Sequence, residues 1–313
     1  MGSQTIATSE TFYTGEQQVI AELGLEKYVL EIGLNGFTIV PPEVTGVTMQ
    51  QIDQLTGLLM DKCEELVGCK FSVEDGPEAE LDYGDYRGTL EQLSGAEPSQ
   101  FQLMQLCTFD RAFRDLAVNP IASALMRHIL GGMARFSSLN CFVKWAGEGY
   151  GESLGLHCDQ LPLGRALAAN CNWALIDYTR ENGAFACVPG SHLRSSNPVL
   201  PQGIEESIPL ECAKGSLIAF HGQLWHGAYP RSTPGLRVTI SNYFRHAMLQ
   251  PQDDIPNHFP RELADDCNDP SVFKEFAGFG APYQSQALPV PRAVVWLTDL
   301  RQFESAMIGR SPQ

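Results

Sequence analysis

The chain has 313 residues, enough for one or two domains, and 43% hydrophobic with 19% charged residues is the balance of an ordinary soluble protein with a large core. Thirty-seven acidic against 21 basic residues give a formal charge of −16, which excludes a nucleic-acid surface because phosphate binding needs clustered Lys and Arg, and which disfavours a bulky CoA ester. Nine cysteines without a Cys-x-x-Cys predict reduced thiols, and a polar N-terminus with no 18-residue apolar stretch argues against secretion and membrane spanning, so the expected location is cytoplasmic.

In chain order, residues 1 to 13 are polar and read as a loose N-terminus. Thr14-Gly15-Glu16-Gln17 has capping-box spacing and predicts a helix to about Leu34. Gly36 to Val40 reads as a first strand, stopped by Pro41-Pro42. A second capping box, Thr48 to Gln51, opens a helix with Ile52, Leu55, Leu59 and Leu66 near one face. Residues 71 to 100 read as an acidic loop, a candidate active-site lid in which Tyr83 and Tyr86 are candidate substrate contacts. Asn119-Pro120 starts a further helix and Gly131-Gly132 ends it, so 14 to 132 is mainly a helical buttress.

From Arg135 the pattern switches to strands, predicted at 135 to 145, 168 to 178, 184 to 188, 206 to 212, 216 to 221 and 236 to 246, with Gly and Pro punctuating the gaps. The β core is thus read over 133 to 246 and a C-terminal extension over 247 to 313, where 294 to 303 reads as a short ordered element. A single domain is expected.

Within that core, the i, i+2 spacing of His157-Cys158-Asp159 puts an imidazole and a carboxylate on one face of an extended segment, a pair able to grip one metal ion. A third ligand would complete a 2-His-1-carboxylate triad, which leaves the opposite coordination positions open. His226 and His221 compete for that role. Their five-residue separation faces them oppositely on one continuous strand, although Gly222 between them weakens the argument. His226 is favoured by its Trp225-His226-Gly227 context and by the eleven-residue step to Arg237. Arg237 lies in the alternating run Leu236 to Phe244 and offers a fork-shaped guanidinium to a carboxylate. His128 reads as helix packing and His192 as part of a turn. Asn170, Asn172 and Trp173 share a strand of which one face should meet co-substrate or substrate.

His157-x-Asp159, Asn182-Gly183-Ala184, Pro189-Gly190-Ser191-His192, Trp225-His226-Gly227 and Arg237, in that order, resemble the phytanoyl-CoA dioxygenase family of Fe(II)/2-oxoglutarate oxygenases over about residues 28 to 246. The resemblance implies an all-β core with flanking helices, a double-stranded β-helix (jelly roll, cupin-like). It implies His157, Asp159 and His226 on Fe(II), and Arg237 on the distal carboxylate of 2-oxoglutarate. Phe185 and Leu154 stand where relatives carry Thr and Gln, and Arg231 where they tend to have Asn. The rest of the oxoglutarate pocket is therefore expected from Thr239, Asn172 or Lys144, and Trp173 and Phe185 are further candidate substrate contacts. O2 and a small-molecule substrate, of specialised metabolism, are the implied partners; a homodimer is allowed. Hydroxylation, desaturation and ring closure are all open, each with release of succinate and CO2. Halogenation is not, because the halogenating relatives replace the carboxylate that Asp159 supplies. Two other classes stay open: a non-catalytic metal-containing binding protein, and a zinc hydrolase using the same triad. A serine hydrolase is discounted, since Ser191 has no Gly-x-Ser-x-Gly elbow around it.

Overall fold

Two long alternating runs form the spine of the protein: β5 (Ala134–Trp145) and β11 (Leu236–His246) pair antiparallel from Leu236 opposite Trp145 to His246 opposite Ala134. The computed structural model describes residues 10–78, 100–145 and 154–279. On the other side of β11 lies β6 (Ala168–Ala174), followed by β9 (Leu217–His221) and β1 (Phe37–Val40); β4 (Gln100–Leu103) closes the far edge beside β5. A smaller sheet has β7 (Phe185–Cys187) between β8 (Ile208–Leu210) and β10 (His226–Ala228). The two sheets form the expected double-stranded β-helix, with helices on the outer face of the large one.

Alternation along the strands sorts the side chains between two cores. Ala169, Cys171, Trp173, Leu217, Ala219, Val238 and Ile240 face outwards and pack with helical residues such as Leu125, Met126 and Phe273. Ala174, Ile218 and Phe220 face inwards and pack with Phe185, Cys187, Leu210 and Leu224 of the smaller sheet and its flanks. Most of the inward positions that remain are polar: Asn170 and Asn172 on β6, and Arg237, Thr239 and Ser241 on β11, with Asn140 and Lys144 on β5 to either side of Phe142. Polar groups buried in such number cost free energy unless they are satisfied, and they mark the functional interior.

The helices follow their caps. Thr48 and Gln51 form the predicted capping box at the start of helix Met49–Val67, which buries Ile52, Leu55 and Leu59 but leaves Leu66 exposed. Asn119 Oδ1 accepts from the backbone N–H groups of Ile121 and Ala122 at the start of helix Pro120–Leu130.

Several expectations are corrected. The single helix from Thr14 is two, Glu10–Glu22 and Glu26–Asn35, broken at Gly24, whose φ of 65° is the left-handed region that glycine enters without strain. Thr14 is therefore inside a helix rather than capping one, and residues 10–13 are helical. The start of the acidic loop is a hairpin, β2 (Phe71–Ser72) with β3 (Gly76–Pro77), its turn tied by Ser72 Oγ accepting from the N–H groups of Glu74 and Asp75. The strand predicted to reach residue 178 stops at Ala174, because the chain crosses there towards the small sheet and Tyr178 pairs with Cys212. His128 is exposed, not packed. Tyr83, Tyr86 and the element at 294–303 lie outside the described residues. All nine cysteines are free thiols, and among the described residues no helix is long and apolar enough to cross a membrane.

Candidate metal centre and co-substrate pocket

The segment Leu154 to Asp159 is laid along β10 by backbone hydrogen bonds. His157 N donates to His226 O at 2.9 Å, His226 N returns to His157 O at 3.0 Å, and Asp159 N reaches Gly222 O at 2.8 Å. This register is possible only because residue 227 is glycine: a Cβ there would lie 2.1 Å from the Leu154 carbonyl oxygen, which accepts from Ala228 N. The Trp-His-Gly signal in the sequence is thus a requirement for close backbone approach beside a ligand.

His157, Asp159 and His226 consequently converge, with their ligand atoms all within 4.8 Å of one another. Asp159 Oδ1 lies 3.6 Å from His157 Nε2 and 3.7 Å from His226 Nε2. Each imidazole places Nδ1 on a carbonyl, His157 on Gly155 O at 2.7 Å and His226 on Leu224 O at 2.9 Å, an arrangement that assigns the proton to Nδ1 and turns Nε2 to the centre. Burial pushes the His226 pKa down, with Asp159 opposing, so the imidazole is held neutral, the form that ligates metal. Phe185 stacks on its ring at 5.3 Å and Phe220 packs at 4.8 Å. His226 is buried while the His157 side chain is 57% exposed, so the centre is walled on the small-sheet side and open on the other. Asn170 Nδ2 donates to Asp159 Oδ2 at 2.6 Å.

The rival third ligand is elsewhere. His221 ends β9, accepts from Gln223 N through Nδ1, and faces the His192 ring at 5.5 Å; burial and His192 together push its pKa down to about 4. His192 is a buried structural residue, as its turn context predicts.

Arg237, on the inner face of β11, is 8% exposed and donates through Nη1 to Gly183 O at 2.6 Å, which gives the Asn182-Gly183-Ala184 motif its purpose. Its guanidinium lies 5.6 Å from the ring centre of Tyr178, and its Nε has no partner among the described residues. Thr239, two residues on, shares a short hydrogen bond with Tyr178 OH. Burial holds Tyr178 as a neutral phenol, its pKa pushed up to about 12. Tyr178 carries no motif, and only the fold places it here. Lys144 sits directly opposite Arg237 in register, 1% exposed, with Nζ 3.5 Å from Tyr229 O; burial and the neighbouring Arg237 bring its pKa down to about 8. Arg231 donates to the carbonyls of Asn182 and Pro234 and so ties down the loop that carries Gly183. Asn172 also faces inwards, its Oδ1 without a partner among the described residues.

Two candidate substrate contacts part company. Phe185 stands against the ligand His226, whereas Trp173 points to the opposite face of β6 and packs in the helix-side core, because it is odd-numbered on a strand whose even-numbered asparagines face the interior. Trp173 is corrected to a packing residue.

The donor set fits an Fe(II) ion, with two imidazoles and one carboxylate converging on one point. The orphaned guanidinium Nε beside Lys144 and Thr239 fits the distal carboxylate of 2-oxoglutarate. Among solved structures the fold is similar to that of the epimerase SnoN of nogalamycin biosynthesis, crystallised with Fe3+, alpha ketoglutarate and nogalamycin RO. That match is 19% identical, covers 78% of this chain and 90% of that one, and has a TM-score of 0.54. HygX from Streptomyces hygroscopicus, with nickel and 2-oxoglutarate bound, is 14% identical over 72% of this chain and 89% of that one, with a TM-score of 0.53. Among curated proteins, dioxygenase af480 of Aspergillus fumigatus is 27% identical over 182 residues, 56% of this chain. The chain spans 58% of that relative's length. The family model described as phytanoyl-CoA dioxygenase (PhyH) matches residues 72–239, from the β2 hairpin through all three ligands to Thr239. A match over more than half of the 313 residues settles the family: the chain belongs to the phytanoyl-CoA dioxygenase (PhyH) family.

Proposed function

We propose that the protein is an Fe(II)- and 2-oxoglutarate-dependent oxygenase, working as a single cytoplasmic domain, that oxidises a C–H bond of a small molecule of specialised metabolism. The observation that carries this reading is the buried Arg237 with its unpartnered Nε, set on the same inner face of the large sheet as Asn170, which touches the ligand Asp159. A protein that merely held a metal would need no such carboxylate anchor.

His157, Asp159 and His226 would hold the ion. Arg237 fixes the far end of 2-oxoglutarate, so that its keto-acid end is presented to the centre in one orientation. Phe185 and Phe220 exclude water from the side of His226. The iron, when bound, supplies the activation of O2 that is coupled to conversion of 2-oxoglutarate to succinate and CO2. Gln160 braces the loop after Asp159 by accepting from Leu167 N and Ala168 N, and this loop presents Leu161 and Leu163, 67% and 61% exposed. Exposed leucines beside a metal centre support a substrate with an apolar face. The charge of −16 speaks against a CoA ester, and the nogalamycin and hygromycin B of the solved relatives' complexes support the specialised-metabolite class.

The test is anaerobic addition of Fe(II) and 2-oxoglutarate, which should give a weak visible charge-transfer band, followed by a screen of uncharged, partly apolar small molecules in air for succinate release. Absence of both the band and substrate-stimulated succinate would overturn the proposal.

A further inference from the structure

We propose that Asn170 is a positioning residue that fixes Asp159 as a single-oxygen metal ligand, a role that rests on the metal-centre reading above. The two oxygens of the Asp159 carboxylate are already differentiated. Oδ1 faces both histidine Nε2 atoms, at 3.6 and 3.7 Å, while Oδ2 accepts from Asn170 Nδ2 at 2.6 Å. The amide has one sensible direction, because a flipped amide would set its oxygen against the Asp159 carboxylate; in the observed direction Ser241 Oγ donates to Asn170 Oδ1 at 3.4 Å. The backbone under Asn170 cannot drift. It lies in the middle of the large sheet, paired with Phe220 on one side and Tyr243 on the other. Tyr243 OH adds a contact to the Asp159 backbone carbonyl at 3.5 Å.

The consequence is for the number of open coordination positions. A carboxylate free to rotate could put both oxygens on the ion and fill a position that co-substrate or O2 needs. With Oδ2 held by a buried amide, 5% exposed, the single-oxygen mode is set before any ligand binds.

The test uses Co(II) as a spectroscopic probe on the full-length protein. Asn170→Ala should weaken Co(II) binding 10- to 100-fold, the range expected when the outer partner of a ligand is lost. It should also lower the visible absorption per bound Co(II), as the second carboxylate oxygen raises the coordination number. Ser241→Ala should act in the same direction but less, since the donor to Asp159 stays. Asn170→Leu, which keeps the branched shape but not the donor, repeats the measurement should the alanine variant unfold. A merely structural role would lower the melting temperature of the metal-free protein and leave Co(II) affinity and spectrum unchanged; that result, or affinities within twofold of the parent, overturns the proposal. Failure of the metal-centre reading looks different, because then the parent protein itself would bind no Co(II).

Discussion

Arg237 and Lys144 face one another across β11 and β5 in a buried space, where Arg237 donates to the Gly183 carbonyl and Lys144 Nζ lies 3.5 Å from the Tyr229 carbonyl. A carboxylate held by Arg237 would make a desolvated pair of opposite charges, and truncating one partner of such a pair costs about 2 to 5 kcal/mol, roughly 30- to several-thousand-fold in affinity. Arg237→Ala should therefore raise the KM for 2-oxoglutarate steeply while metal binding persists, and Arg237→Lys should recover only part, lacking the planar fork. An unchanged KM in steady-state succinate assays would remove Arg237 from the pocket. Lys144 adds a pH dependence whose sign follows from its pKa. Brought down to about 8, it is cationic below that pH and neutral above, while Tyr178 stays a neutral phenol. kcat/KM for 2-oxoglutarate should thus fall as pH rises through about 8, and Lys144→Met should abolish that limb; an identical pH profile in the variant would show that Lys144 does not meet the co-substrate. The four residues on which the site turns were legible because each sits in a short motif at fixed spacing. Tyr178, which meets Thr239 from 61 positions away, and the grip of Asn170 on Asp159 were not, since side-chain contacts across strands leave no local signature.

At the scale of elements, strands were readable where alternation ran long enough, as along β5 and β11, and unreadable where three residues suffice. His226 belongs to such a strand. β10 is only His226–Ala228, and what defines it is pairing with β7 and with the segment carrying His157, neither of which periodicity can reveal. The hairpin at Phe71 to Pro77 was hidden for the same reason, each strand having two residues among acidic and turn-forming neighbours. This shortness makes β10 dependent on one glycine. Gly227→Ala would drive a methyl group into the Leu154 carbonyl, separating β10 from the 154–159 segment and pulling His157 away from His226. The expected outcome is loss of Co(II) binding with circular dichroism close to that of the parent, because the large sheet does not depend on this contact. Metal binding at parental strength in Gly227→Ala would show that the two histidines reach the centre independently of the bridge between them.

Across the whole molecule the site draws on different parts of the fold. His226 comes from the small sheet, Arg237 from the large one, and His157 and Asp159 from the connection laid between them. A metal ion alone ties the connection to the small sheet, whereas 2-oxoglutarate bound to both the ion and Arg237 would span the two sheets. Ligands that bind only the folded state stabilise it by RT ln(1 + [L]/Kd), about 2.7 kcal/mol at a hundredfold excess over Kd, or roughly 4 °C for a chain of this size. Co(II) alone should give a rise of that order, and 2-oxoglutarate alone a small one. The two together should exceed the sum, since each prepares the other's site. The excess should vanish in both His226→Ala and Arg237→Ala, the first by losing the ion and the second by losing the far anchor. Melting curves of the parent and the two variants, with each ligand separately and combined, measure this directly. Additive shifts in the parent, or an excess that survives in Arg237→Ala, would mean that the co-substrate does not bridge the sheets through this arginine.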